Sequence, residues 1–292
     1  MSDKGKINKR PVGKLSPMVK MEVAVKKLGK FFVDLLFPED LKCVFCGTDI
    51  PNFDEKPYCE ECEKNLPFNN GHRCEICDQP ILNEATICDF CQKRGRNFKR
   101  AFCPFLYEGK VKNAILGYKE SNQRFKAKAF AKMIVEYIQK FNVKLDVVTY
   151  IPMTEKKQKQ RTFNQSQLLA EQIGKLLNLP VLSFFSKVRD GEEQKNLTFK
   201  ERRESVVGKY VLKKVRLKRT QNVLIVDDVM TTGATLGYCA GLVYPKVNEV
   251  YVCALAREYV RPKAQAVNSR KFSQKSKSLW KIKLLQKRKK QK

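Results

Sequence analysis

Val223-Leu224-Ile225-Val226-Asp227-Asp228-Val229-Met230-Thr231-Thr232-Gly233-Ala234-Thr235 is the stretch whose reading decides the fold. Its first four residues are apolar and three of them are β-branched, which reads, with Asn222, as a short strand buried on both faces, the mark of a parallel sheet. In open α/β sheets ligands bind at the carboxyl ends of such strands. Two adjacent carboxylates at that place are costly unless they meet hydroxyls or a cation. The loop from Thr231 to Thr235 then enters a helix. Its free N–H groups and hydroxyls form an anion cradle on the positive end of the helix dipole. A plain helix cap would need one Asp or Thr, and it leaves most of the segment unexplained. Carboxylates for a diol beside a cradle for a phosphate describe a ribose 5-phosphate site.

Outward from this segment, strand and helix patterns alternate. Ala101–Tyr107 is a strand candidate, and helical stretches follow through Ile115 and Leu116 and from Lys126 to Gln139. Asp146–Ile151 is a β-branched run, Phe163–Leu177 repeats apolar residues at helical spacing, and Val206–Leu212 is strand-like. Thr235–Val243 is helical and Val250–Ala256 closes the series. The alternation predicts a parallel sheet covered on both faces over residues 101–260.

Residues 31–100 read differently, because residues 43–91 hold eight of the eleven cysteines. Cys43/Cys46 and Cys59/Cys62 are separated by twelve residues, and Cys74/Cys77 and Cys88/Cys91 by ten. A C-x2-C knuckle puts two thiolates on one side of a tetrahedron, and two knuckles complete a four-cysteine zinc site. The stretch has few large apolar residues, so metal binding supplies its folding energy. Two structural Zn²⁺ sites are expected. Sequential pairing of the knuckles and interleaved pairing (first with third, second with fourth) use the same residues and both stay open. Gly47 fits the tight turn after a knuckle. His72 reads as a bystander, and the solitary Cys103, Cys239 and Cys253 as small core hydrophobes.

The formal net charge of +29 is concentrated at the ends. Residues 261–292 carry 13 Lys/Arg and no acid, residues 1–30 carry a net +7, and the body between them is left with +9. The ends therefore suit a polyanion, and single-stranded DNA or RNA is the partner expected there, with Trp280 able to stack on a base; a solvated tail is the plain alternative. Met18 to Leu36 reads as a basic amphipathic helix; docking of its apolar stripe on its own protein is expected, with a membrane surface or nucleic acid as the alternative. No run reaches the roughly 18–20 apolar residues needed to span a bilayer. No signal-peptide pattern opens the chain, so a cytoplasmic location is expected, where thiols stay reduced.

The quoted segment resembles the phosphoribosyl-diphosphate (PRPP) signature of type I phosphoribosyltransferases. With the cysteine module, the chain resembles the ComF/GntX family of competence-associated phosphoribosyltransferase-like proteins. The resemblance runs from about Phe32 to Arg257. It includes Leu35-Leu36-Phe37-Pro38, the knuckles, Tyr118-Lys119, Ile151-Pro152-Met153, Arg161-Thr162-Phe163-Asn164-Gln165, Gln194 with Leu197, Arg202, the PRPP loop and Arg257. It departs from the family pattern at Thr162, Ser205 and Met230, none of them in the acidic pair or the cradle.

The resemblance implies a type I phosphoribosyltransferase fold with a small N-terminal zinc module. It implies that Asp227 and Asp228 hold the ribose hydroxyls and that Thr231, Thr232, Gly233, Ala234 and Thr235 bind the 5-phosphate. Lys156 or Lys157 would belong to the pyrophosphate loop. Arg161, Asn164 and Gln165 would face the pocket, Lys119 and Arg202 would add charge, and Mg²⁺ would bridge pyrophosphate and ribose. Asp227, Asp228 and Arg161 are the expected catalytic groups. The reaction implied is Mg-dependent transfer of phosphoribose from PRPP to an acceptor, linked to DNA uptake, with DNA-uptake or helicase proteins as partners. The alternative is a single-strand-binding DNA-uptake protein whose PRPP pocket is regulatory or vestigial.

Overall fold

The computed structural model describes residues 42–53, 55–120, 123–154, 158, 163–189, 201 and 204–259. The helix expected over 18–36 and the basic tail with Trp280 lie outside the described residues. The chain divides into two compact units, Met1–Glu63 and Lys64–Lys292.

In the smaller unit the first knuckle turns at Gly47, whose φ of 79° is a left-handed value that glycine takes without strain. The Gly47 amide closes the turn on the Cys43 carbonyl at 2.9 Å. Helix α1 (Glu60–Asn65) brings in Cys62, which is buried. The only large apolar side chains buried beside the cysteines among the described residues of this unit are Val44, Ile50 and Phe53.

The larger unit opens with the second knuckle. There Asp78 occupies the turn position that Gly47 holds in the first, with φ 60°, and its amide donates to the Cys74 carbonyl at 2.9 Å. Asp tolerates this conformation better than most residues, and here its side chain is used as well. Its carboxylate accepts from the Cys103 amide at 2.7 Å and from the Tyr137 hydroxyl at 3.1 Å. Helix α2 (Asp89–Arg94) carries Cys91.

Four parallel strands make the main sheet: β1 (Arg100–Phe102), β8 (Glu249–Cys253), β6 (Asn222–Val226) and β3 (Val147–Tyr150), in that order. Val223, Leu224, Ile225 and Val226 of the central β6 are all 0% exposed. Because side chains alternate faces along a strand, both faces must be covered. One face places Val223, Ile225, Val250 and Val252 in a single core with Leu236, Cys239, Ala240 and Val243 of helix α6 (Ala234–Val243). That core also contains Cys74, Cys77, Cys88 and Cys91. Helix α5 (Gln165–Leu177) packs on β3 and β6 and against helix α4 (Lys126–Gln139). In α4 the buried Ala127, Phe130, Ala131, Ile134, Tyr137 and Ile138 recur at helical spacing and supply the contact. Helix α3 (Gly109–Glu120) buries Val111, Ala114, Ile115 and Tyr118.

Two strands that read as single runs are broken in two, and a third, read as Asn222–Val226, has those bounds but gains a separate continuation. Ala101–Tyr107 divides at Cys103-Pro104 into β1 and β2 (Phe105–Leu106). Val250–Ala256 divides at Ala254-Leu255 into β8 and β9 (Ala256–Arg257), and β6 is followed after the two aspartates by β7 (Val229–Met230). The continuations form a second parallel sheet, β2-β9-β7. Val206–Leu212 is shorter as a strand than its composition suggests. Only β5 (Tyr210–Leu212) pairs, antiparallel with β4 (Phe185–Lys187), because the left-handed Gly208 (φ 72°) turns the chain just before it. No helix of the described residues is long and apolar enough to cross a membrane.

Candidate functional site

The step from β6 to β7 places the two aspartates at the carboxyl end of the central strand. The Asp227 amide still donates to Cys253 of β8 at 3.0 Å, while the Asp228 carbonyl accepts from Leu255 at 3.1 Å. Asp227 is held by two hydrogen bonds to one carboxylate oxygen, from the Ser166 hydroxyl at 2.9 Å and from the Asp228 amide at 2.9 Å. Asp228 pairs with Lys119 at 2.7 Å, with about a fifth of each side chain exposed (19% and 17%).

Burial pushes the Asp227 carboxyl up to about 7, with the neighbouring Asp228 adding to the rise and Lys119 and Ser166 opposing it. Burial acts to lower the Lys119 pKa, but the charge and hydrogen bond of Asp228 outweigh it, so the net shift is upward and the ammonium stays charged. Since the folded Asp227 binds its proton more tightly than the unfolded chain's (about 3.9), the native state holds more protons between about pH 4 and 7. Stability therefore falls as pH rises through that window and levels above it. Asp227→Asn is expected to remove this slope and to raise the melting temperature at pH 8 by several degrees, at about 2–4 °C per kcal/mol relieved. A pH–stability curve identical to that of the native chain would refute the assignment.

The cradle follows. Gly233 is the N-cap of α6 with φ 72°, ψ 17°, and its carbonyl accepts the first helical amide, Gly237, at 2.8 Å. A Cβ there would stand 2.5 Å from Met230 Cε and 3.2 Å from an Arg96 nitrogen, so both the conformation and the space select glycine. The Thr232 hydroxyl accepts from the Ala234 amide at 3.2 Å. A pocket of about 160 Å³ is lined by Asp227, Thr231, Thr232, Gly233, Ala234 and Thr235 together with Ser205 and Val206.

The structure brings Lys119, Asp227, Asp228 and the threonine loop into one locality. Asn164 and Gln165 take supporting places instead of open ones. Asn164 caps α5, accepting from Ser166 and Gln167 amides at 3.0 and 3.3 Å, and donates to the Ile151 carbonyl at 3.2 Å. Gln165 donates to the Lys119 carbonyl at 3.2 Å, and the Tyr118 hydroxyl donates to the Gln165 carbonyl at 2.8 Å. Together they fix the backbone from which Lys119 reaches Asp228. Lys156, Lys157, Arg161, Thr162 and Arg202 lie outside the described residues, as do Gln194 and Leu197.

Two residues at the site were not singled out from the sequence. Ser166 touches Asp227; reading Asn164 as an N-cap would have placed it at the second helical position, facing the strand end. Arg96 donates to the Thr232 carbonyl at 3.1 Å and lies 4.3 Å from the centre of the Phe90 ring.

The eight knuckle cysteines form two groups, Cys43/Cys46/Cys59/Cys62 and Cys74/Cys77/Cys88/Cys91, each with its four sulfurs within 4.8 Å of one another. Pairing is therefore sequential. Sulfur–sulfur separations of 3.6 Å for Cys46–Cys59 and Cys77–Cys88 approach the roughly 3.8 Å edge of a tetrahedron with Zn–S bonds near 2.3 Å. Both groups fit zinc. His72 belongs to neither group and its ring lies 2.7 Å from the Ala85 carbonyl. Cys103, Cys239 and Cys253 are fully buried, and burial raises each thiol's pKa, leaving core residues of low reactivity.

Residues 32–92 match the double zinc ribbon domain family. Competence protein F of Haemophilus influenzae is 24% identical over 226 residues, 75% of this chain and 97% of that protein. Competence protein ComFC of Bacillus subtilis is 25% identical over 64% of this chain and 77% of its own length. The chain is thus similar to these competence proteins over most of its length. ComFC of Streptococcus pneumoniae is similar at 24% identity over 67% of this chain and 90% of its own. Among solved structures, a purine phosphoribosyltransferase from Pyrococcus horikoshii aligns with 48% of this chain and 80% of its own, at 17% identity and a TM-score of 0.30. An adenine phosphoribosyltransferase from Trypanosoma brucei aligns with 52% and 80%, at 12% identity and 0.30.

Proposed function

We propose that this ComF-like chain binds PRPP with Mg²⁺ at the Asp227–Thr235 segment and transfers its phosphoribosyl group to an acceptor in DNA uptake. The observation that carries the reading is the acidic pair ending a fully buried central strand, directly ahead of a glycine-capped helix start lined by threonines. Asp227 and Asp228 accept the ribose 2′ and 3′ hydroxyls; Ser166 and Lys119 already hold these carboxylates in place. The amide of Gly233 and the hydroxyls of Thr231, Thr232 and Thr235 take the 5-phosphate, and the Ala234 amide joins them when it exchanges its bond to the Thr232 hydroxyl for one to the ligand. Hard carboxylate oxygens are suitable neighbours for Mg²⁺, which supplies charge neutralisation of the pyrophosphate when bound. Lys119, Arg161, Lys156 and Arg202 add positive charge toward the leaving group.

The C1–O bond to pyrophosphate breaks with its electron pair leaving on pyrophosphate, while the acceptor's lone pair forms the new bond at C1. The chain contributes position and charge. Sulfur-ligated metal centres need reduced thiols, which supports a cytoplasmic setting.

The test is a pyrophosphate-release screen with PRPP and Mg²⁺ over bases, amines and single-stranded nucleic acids. Release with one acceptor class is expected; none, together with no PRPP-induced stabilisation, would remove the reading. The net charge of residues 261–292 favours one second reading, a single-strand-binding protein with a regulatory PRPP pocket. Stabilisation by PRPP without any turnover would select it.

A further inference from the structure

Arg257 is 0% exposed. One terminal nitrogen donates to Gln79 Oε1 at 3.1 Å and lies 3.9 Å from Cys77 Sγ. Its Nε and other terminal nitrogen have no hydrogen-bond partner among the described residues. A buried guanidinium without a counter-charge costs several kcal/mol or more, so an anion must face it. The charge that fits is adjacent: four thiolates around one Zn²⁺ would carry a net −2, and Cys77 is one of the four.

The same residue is tied by its backbone to the phosphate loop. Arg257 pairs with Met230 in the β7–β9 ladder, the Glu258 amide donates to the Met230 carbonyl at 3.0 Å, and Met230 immediately precedes Thr231. A second tie runs from Arg96, stacked on Phe90 between Cys88 and Cys91, to the Thr232 carbonyl. We propose that Arg257 is the counter-ion and thiolate hydrogen-bond donor of the second four-cysteine centre, and that zinc there fixes the Met230–Gly233 floor of the phosphate loop. The first half stands on metal chemistry alone; the second rests on the PRPP reading above.

Arg257→Met removes the charge at similar volume, and Arg257→Lys keeps the charge but loses the planar fork. Zinc release from the full chain to a chromophoric chelator is expected to be about 10–100-fold faster for one of the two ions in Arg257→Met, the usual cost of losing a partner of a metal ligand. Arg257→Lys should fall between that and the native chain. Cobalt-substituted protein should show a shifted sulfur-to-cobalt band in both variants, which a purely packing role would leave unmoved. Native release rates in either folded variant would overturn the counter-ion role; if Arg257→Met does not fold, Arg257→Lys decides alone. The rise in melting temperature with PRPP and Mg²⁺ should shrink in step with zinc release. Faster release with a full PRPP shift would overturn the link to the loop. If the native chain shows no PRPP shift, the link falls with the ligand reading and the zinc measurement still judges Arg257.

Discussion

Chains carrying Cys74→Ser with Cys77→Ser are expected to lose the cooperative unfolding transition of the larger unit, whereas Cys43→Ser with Cys46→Ser should leave that transition in place. The asymmetry follows from burial. The second group lies in the same core as Val223, Ile225 and Val250 of the sheet, and its four cysteines are at most 9% exposed. The first group belongs to the smaller unit, where Cys46 is exposed and few apolar side chains are buried. Structural zinc binding is worth about 10–16 kcal/mol in zinc-finger peptides, against about 5–15 kcal/mol for the whole stability of a typical domain. Losing the second ion should therefore unfold the sheet. Metal analysis of the native chain should return two zinc per chain, and near-ultraviolet dichroism with calorimetry would follow the transition. Equal damage from both pairs of substitutions, or a native transition in Cys74→Ser/Cys77→Ser, would refute this division of roles.

The second large effect is on ligand binding. PRPP with Mg²⁺ at about 100 times its Kd should stabilise the native chain by about 2.7 kcal/mol, or roughly 5–11 °C for a protein of this size. Asp227→Ala combined with Asp228→Ala should abolish the shift, because the proposed acceptors for the ribose hydroxyls would both be gone. It should also free Lys119 from its ion pair, so a residual increase in affinity for inorganic pyrophosphate is expected. The native shift should be larger at pH 8 than at pH 6, since Asp227, with its pKa pushed up to about 7, gains full acceptor capacity only above that value. A full shift in the double variant, or one independent of pH, would contradict the assignment of these carboxylates.

What could be read along the chain depended on the range of the interactions. The apolar run 223–226 and the doublet after it stated their own burial and placement. Thr231 to Thr235 likewise carried a loop-to-helix signal within one turn. The knuckle spacings specified metal ligands because two thiolates on one turn have few other uses. By contrast, β2, β7 and β9 are two residues each, too short for any periodicity to show, and they exist because neighbouring strands break at the same level. Asn164 and Gln165 were expected at the pocket, but their side chains are spent on backbone groups of α5, Ile151 and Lys119. Ser166 reaches Asp227 across 61 residues of sequence, which no local pattern encodes.

The sequence by itself determined the acidic pair, the threonine loop at the helix start, the eight knuckle cysteines and the alternation that makes a parallel sheet, since each is written in residues close together in the chain. The tertiary structure alone decided that the knuckles pair sequentially and that the chain divides after Glu63. It also placed the second cysteine group in the sheet's core and set a buried Arg257 against Cys77. Those outcomes depend on which distant surfaces meet once apolar area is buried and a buried charge must find its opposite, and neither condition is local to any segment.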